Sequence, residues 1–216
     1  MPSSSRQFSL FDRFIHHTDD ALRTIAGTHT ESLRANPAGE VPEAQLSEAE
    51  KTHTAGLMRV NHTGEVCAQA LYQGQALTAR LPRVRKSMES AAKEEEDHLA
   101  WCEERLRELD SHPSVFNPAW YVMSFGIGAA AGFAGDKWSL GFVEETEVQV
   151  CAHLSEHLEN LPPQDTRSHK ILSQMHKDEA QHAQMAKRAG AASLPKPIKK
   201  LMSSVSKVMT STAYKI

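Results

Sequence analysis

Glu95-Glu96-Asp97-His98-Leu99 and Asp178-Glu179-Ala180-Gln181-His182 each place a glutamate three residues before a histidine. Both stretches lie in segments dense in Ala, Glu, Lys, Gln and Leu. At about 100° per residue on a helix, positions three apart share a face, so each carboxylate and imidazole can reach one ion. Upstream of each stands another acid-bearing helical segment, Asn61-His62-Thr63-Gly64-Glu65 before the first and Glu144-Glu145-Thr146-Glu147 before the second. Glu95 follows Glu65 by 30 positions and Glu179 follows Glu147 by 32. The chain therefore carries one unit twice, a helix with a glutamate and then a helix with Glu-x-x-His.

Working outward, Ser47-Glu48-Ala49-Glu50 has the form of a capping box and opens a long helix running to about Arg80, stopped by Pro82. The next helix spans about Arg83 to Leu109, a further one about Trp138 to Asn160, and another Asp165 or Thr166 to Ala189. No sustained alternation and no Asn-Gly or Asp-Gly hairpin turn is present, so the expected class is all-α, with four helices in a bundle. Appended to it are an amphipathic N-terminal helix over Phe8 to Ile25, an uncharged apolar segment over Ala119 to Gly135, and a C-terminal amphipathic helix. The expected units are an extension and loop over 1–45, a metal-binding bundle over 46–190 that includes 119–135, and a basic tail over 191–216. That tail holds five lysines and no acid. The apolar segment, 17 residues with four glycines, reads as a buried or interfacial helix rather than a span.

A net charge of −3 calls for no nucleic acid, and the three cysteines, far apart and without a CxxC pair, point to a reducing cytoplasm. Four carboxylates facing one interior repel one another and are costly to desolvate unless cations compensate them. Two divalent ions balance four carboxylates, and two neutral imidazoles complete the donor set. Oxygen and imidazole donors without thiolate suit iron or manganese better than structural zinc. One Glu from each of two helices and Glu-x-x-His from each of two others is the known pattern of di-iron and di-manganese bundles. The candidate metal ligands are Glu65, Glu95, His98, Glu147, Glu179 and His182. Glu144, Glu145 and Glu147 compete for the fourth carboxylate; Glu147 is the expected one, with Glu144 on the same face. His153, six residues on, is a candidate donor to a ligand. Asp97 and Asp178 are candidates to orient the opposing imidazoles, and Asn61 and His62 to stand behind the ligands. Tyr72 shares the face of Glu65 and is expected as a core residue. A third Glu-x-x-His, Glu50 to His53, is a decoy, because Glu50 is occupied by capping.

Arg59-Val60-Asn61-His62-Thr63-Gly64-Glu65, Gln69-Ala70-Leu71-Tyr72-Gln73-Gly74-Gln75, Glu95-Glu96-Asp97-His98-Leu99, the Glu147 to His153 spacing and Asp178-Glu179-Ala180-Gln181-His182 together resemble the demethoxyubiquinone hydroxylases. The resemblance covers about Ala49 to the C-terminus; residues 1–45 look like a bacterial-type extension. It implies a ferritin-like fold and two iron ions, one held by Glu65, Glu95 and His98 and the other by Glu147, Glu179 and His182, with Glu95 and Glu179 as candidate bridges. It also implies O2-dependent hydroxylation of a polyprenyl methoxy-methyl-benzoquinol and a peripheral position on the cytoplasmic face of the bacterial inner membrane. The expected partners are that benzoquinol and O2, the membrane surface, and a ubiquinone-biosynthesis complex or a second copy of the chain. Two rival functions share the fold. Iron storage or peroxide detoxification would require a shell-forming oligomer, and a di-iron tRNA hydroxylase would require a basic groove with interleaved aromatics.

Overall fold

The computed structural model describes residues 32–216. The N-terminal helix expected over Phe8 to Ile25 lies outside these residues. Among them the chain forms six helices and no strand: α1 (Glu48–Thr78), α2 (Pro82–Glu108), α3 (Asn117–Ala134), α4 (Asp136–Asn160), α5 (Thr166–Arg188) and α6 (Lys196–Ala213). The all-α, ferritin-like bundle expected from the sequence is the fold adopted.

Local chemistry sets the boundaries. The Ser47 hydroxyl accepts from Glu50 N–H while the Glu50 carboxylate accepts from Ser47 N–H, starting α1 with a full capping box. Pro82 and Pro118 occupy the first turns of α2 and α3, where a missing N–H costs nothing. Gly135, at φ +119°, is the single residue on which α3 ends and α4 begins. The Asp165 carboxylate caps α5 by accepting from Ser168 N–H at 3.1 Å.

The hairpins α1/α2 and α4/α5 face each other, each internally tight, while their backbones stand apart across the bundle axis. Two apolar layers fill that gap. Met58, Trp101, Cys102, Leu106, Leu154, Leu172 and Met175 form one, and Tyr72, Val84, Met88, Leu140, Val143 and Ala186 the other. Residues 65, 95, 147 and 179 fall midway between these layers on their helices, so the bundle is an apolar sandwich around a polar filling. The loop before α1 is pinned to this frame by fully buried Arg105, which donates to Glu43, Glu108, Asp165 and Ser168. Those carboxylates outweigh the effect of burial and hold its guanidinium charged.

The apolar segment is α3, laid across α1. No helix among the described residues is long and apolar enough to cross a membrane. α3 meets α1 backbone to backbone: a Cβ on Gly128 would sit 2.2 Å from the Leu71 carbonyl oxygen, and one on Gly74 would sit 2.3 Å from that of Phe125. Helix α6 is anchored by its end, where Arg59 donates to the Tyr214 carbonyl at 3.0 Å and the Tyr214 hydroxyl meets His53 Nδ1 at 2.7 Å. Gly128→Ala is expected to lower unfolding stability by about 1–3 kcal/mol through overpacking. Gly126→Ala, where a Cβ meets nothing within 4 Å, is expected to raise it by up to about 1 kcal/mol through helix propensity. Paired urea titrations measure both.

Candidate metal centre

Antiparallel helices bring the paired motifs to one level. Glu65, Glu95, His98 and Glu179 offer ligand atoms all within 4.8 Å of one another, and so do Glu95, Glu147, Glu179 and His182. All six side chains are buried. Glu95 and Glu179 belong to both groups, the position that a shared, bridging carboxylate requires. Glu147 rather than its neighbours enters the cluster: Glu145 accepts from Lys199, and Glu144 lies 3.9 Å from Lys187. The decoy is elsewhere, with Glu50 on Ser47 and His53 Nε2 3.1 Å from the Asn160 carbonyl oxygen.

The rings present Nδ1 inward. His98 Nδ1 stands 3.0 Å from Glu95 Oε2, 3.0 Å from Glu179 Oε1 and 3.5 Å from Glu65 Oε2. His182 Nδ1 stands 3.1 Å from Glu179 Oε2 and 3.5 Å from Glu95 Oε1. Outward, His98 Nε2–H donates to Asp178 at 3.1 Å and His182 Nε2–H donates to Glu94 at 2.8 Å. A proton held at Nε2 leaves the Nδ1 lone pair for an ion. Asp178 thus orients the opposing imidazole as expected, but Asp97 does not. It accepts instead from Arg34 Nε at 2.7 Å and from the Leu33 N–H at 2.6 Å. The partner of His182 is Glu94, missed in the sequence although it, like Asp178, immediately precedes a Glu-x-x-His. In antiparallel helices, the residue before one motif lies level with the histidine that ends the other.

Two further residues were not legible as parts of the site. Arg34, in the loop before α1, donates to Asp178 at 2.8 Å as well as to Asp97, with its guanidinium 4.8 Å above the Trp101 ring. Asp178 is thereby held between two cations, and its carboxyl stays down at about 2 despite burial, which acts in the opposite direction. Tyr72, expected in the core, is buried there but donates its hydroxyl to Glu147. Asn61 and His62 do not stand behind the ligands: His157 Nδ1 lies 3.1 Å from Asn61 Oδ1, and Asn117 Nδ2 lies 3.2 Å from His62 Nδ1. His153 packs on His157 with ring centroids 3.8 Å apart, not on Glu147.

The donor set fits a pair of divalent ions. Glu147 Oε2 is buried without a hydrogen-bond partner, and Glu179 Oε1 and Glu95 Oε1 face only the inward Nδ1 atoms of His98 and His182, an arrangement that costs free energy unless a cation compensates it. Without ions, protons supply the compensation. Burial first, then the neighbouring Glu95 charge, raises the Glu65 carboxyl well above the ordinary carboxylate range; burial and the Glu179 charge do the same to Glu147. Burial opposes charge on His182, yet Glu179 and Glu95 push its imidazole up to about 12; burial likewise opposes charge on His98, which Asp178 first, then Glu179, Glu65 and Glu95, raises well above the ordinary imidazole value.

Beside Glu65 opens a second feature, a cavity of about 320 Å³ between α1, α3, α4 and α6. Its walls are mostly apolar, including Leu71, Ile127, Val150, Leu201, Met202 and Val205.

Three outcomes follow. Ions must displace the protons held by Glu65, Glu147, His98 and His182, so anaerobic Fe(II) or Mn(II) addition at neutral pH is expected to release several protons per chain and affinity to rise with pH. A weakly buffered indicator titration measures this. The raised histidine values make their contribution to the metal-free fold fully present below the ordinary imidazole pKa. It is lost as pH rises through the elevated ones, so metal-free stability should fall toward alkaline pH. Asp178→Ala is expected to weaken ion binding by about 10–100-fold in chelator competition, with Arg34→Ala weakening it in the same direction.

Comparison with known proteins bears on what such a centre serves. The sequence signature of the family described as "Ubiquinone biosynthesis protein COQ7" matches residues 52–213. Among curated relatives, the 3-demethoxyubiquinol 3-hydroxylase of Pseudomonas fluorescens strain Pf-5 is 57% identical over 214 residues, covering 99% of this chain and 100% of that protein. The protein of that name from Acinetobacter baylyi is 57% identical over 211 residues, 98% of this chain and 100% of its own. That from Stutzerimonas stutzeri is 58% identical over 216 residues and covers both chains fully. A signature match through all six helices and relatives of this identity along the whole chain place the protein in one family: it belongs to the COQ7 ubiquinone biosynthesis proteins.

Proposed function

We propose that the chain is a di-iron monooxygenase that uses O2 to hydroxylate a polyprenyl methoxy-methyl-benzoquinol in ubiquinone biosynthesis. The observation that carries this reading is a paired carboxylate-histidine cluster opening, at Glu65, onto a large apolar cavity. Relatives named as 3-demethoxyubiquinol 3-hydroxylases support the substrate class.

In this reading Glu65, Glu95 and His98 would hold one iron and Glu147, Glu179 and His182 the other, with Glu95 and Glu179 within reach of both. Bound there, the iron pair supplies the activation of O2 that no side chain of the cluster can provide. The chain supplies the rest. Asp178 and Glu94 keep a proton on each Nε2, so that both imidazoles bind as neutral ligands. Tyr72 fixes one oxygen of Glu147 and leaves the other for the ion. The apolar walls of the cavity exclude water and take the isoprenoid tail, which sets the ring beside Glu65. Iron storage has no use for such a cavity, and a tRNA base would meet apolar walls where a charged groove is required.

A bilayer-borne substrate also explains the outer surface. Helices α3 and α6 line the cavity with one face and expose Val122, Phe133 and Val208 on others, each more than half accessible, while Leu201 on the cavity wall is exposed too. The lysines of α6 lie alongside, suited to anionic headgroups. We place the protein peripherally on the cytoplasmic face of the inner membrane, with the α3/α6 side down.

Quinone analysis of cells lacking the gene should show a demethoxy precursor that disappears on complementation, and the purified protein should carry about two irons per chain. An unchanged quinone profile or hundreds of irons per chain would refute the reading. Independently, Val208→Glu combined with Leu201→Glu should abolish flotation with anionic liposomes while iron content stays constant.

A further inference from the structure

The cavity beside Glu65 is mostly apolar, and three of the polar atoms of its lining residues lack a partner. Asn61 Nδ2, Trp120 Nε1 and His153 Nε2 are buried without a hydrogen-bond partner, and all three residues line this cavity. Asn61 is 4% exposed. Three such groups in one apolar cavity are costly unless a ligand meets them. They come from three helices, α1, α3 and α4, so no single local turn explains them.

Their chemistry specifies that ligand. The amide of Asn61 is fixed by His157, whose Nδ1 faces Oδ1 at 3.1 Å, which leaves the NH2 end free as a donor. The Trp120 indole can only donate. His153 sits on the His157 ring, and burial lowers the pKa of both, so His153 is a neutral imidazole able to give or take one hydrogen bond. The cavity thus asks for an apolar molecule bearing at least two oxygen acceptors. Asn61 lies one helical turn before Glu65, about 6 Å along the axis, so an oxygen held there leaves room for a ring edge beside the ion that Glu65 would bind.

We propose that Asn61, Trp120 and His153 form the head-group recognition site, holding the ring and methoxy oxygens of the benzoquinol so that its free carbon faces the Glu65 side of the centre. This rests on the substrate reading above. In a ring with two oxygens para to each other, every remaining carbon is adjacent to one of them. Each ring oxygen is flanked by two of these carbons, so fixing a ring oxygen together with the methoxy oxygen fixes which carbon approaches the centre, a choice the apolar walls cannot make. These are positioning residues: they touch the substrate and set its register.

The test uses the full-length iron-loaded protein under anaerobic conditions, so that binding is read without turnover. Two probes are titrated by calorimetry, a short-tailed methoxy-methyl-benzoquinol with a free ring carbon and the same prenyl tail on toluene, which lacks ring oxygens. Trp120→Phe and His153→Phe should each weaken binding of the quinol by about ten-fold and leave the toluene probe unaffected. His153→Gln, which keeps a polar group at that place, should recover part of the loss. Iron content and the optical spectrum of the centre should match the parent, which separates a recognition defect from misfolding. Variants that bind the quinol as well as the parent does, or that lose both probes equally, overturn the assignment while leaving the functional reading intact if the parent still hydroxylates the quinol. A parent that neither binds nor hydroxylates it overturns both.

Discussion

Burying four glutamates in one layer is the constraint from which the rest of the molecule follows. A bundle of this size can place carboxylates at its centre only if positive charge is placed there with them. In the metal-free chain protons take the place of that charge: the Glu65 and Glu147 carboxyls are raised well above the ordinary carboxylate range and the His182 imidazole up to about 12. The two apolar layers on either side keep the helices registered around the polar middle. They also explain why the two hairpins can be individually tight and yet stand apart from each other.

Placed against that layer, the outer parts of the chain acquire roles. Arg34 and Arg105 fasten the segment before α1, one to the carboxylate behind His98 and the other to the cap of α5. Helix α3, close against α1 at Gly74 and Gly128, becomes a fixed wall of the apolar cavity. Helix α6, held at its C-terminal end by Arg59 and His53, closes the opposite side. The family to which the chain belongs acts in ubiquinone biosynthesis, and a polar centre reached through an apolar cavity is the architecture an apolar quinol demands.

Much of this was legible in the sequence because helical periodicity is a local property. The spacing of Glu95 to His98 and of Glu179 to His182 is enough to put each pair on one face, and the matched intervals to Glu65 and Glu147 imply the two hairpins. What escaped depends on relations between helices. Asp97 was a candidate to orient an imidazole because it adjoins a ligand in sequence, and it faces Arg34 instead. Glu94 orients one because the antiparallel register sets it level with His182. Tyr72 was readable as buried but not as a donor to Glu147, a residue 75 positions away. Arg34 sits in a stretch without periodicity, where no pattern announces a long-range contact. The unpartnered atoms of Asn61, Trp120 and His153 have no sequence signature at all, since being unpartnered is a fact about a whole neighbourhood.

The doubled motif is less symmetric than its spelling. On one side, Asp178 is tucked between His98 and Arg34 and also accepts from Gln174. On the other, the Glu94 side chain is 47% exposed as it receives His182, and it borders a separate hollow with Arg83 and Lys86. One imidazole is clamped by a closed lattice and the other by a carboxylate that water can solvate. Solvent therefore reaches the carboxylate behind His182 far more freely than the one behind His98, whose side chain is only 11% exposed.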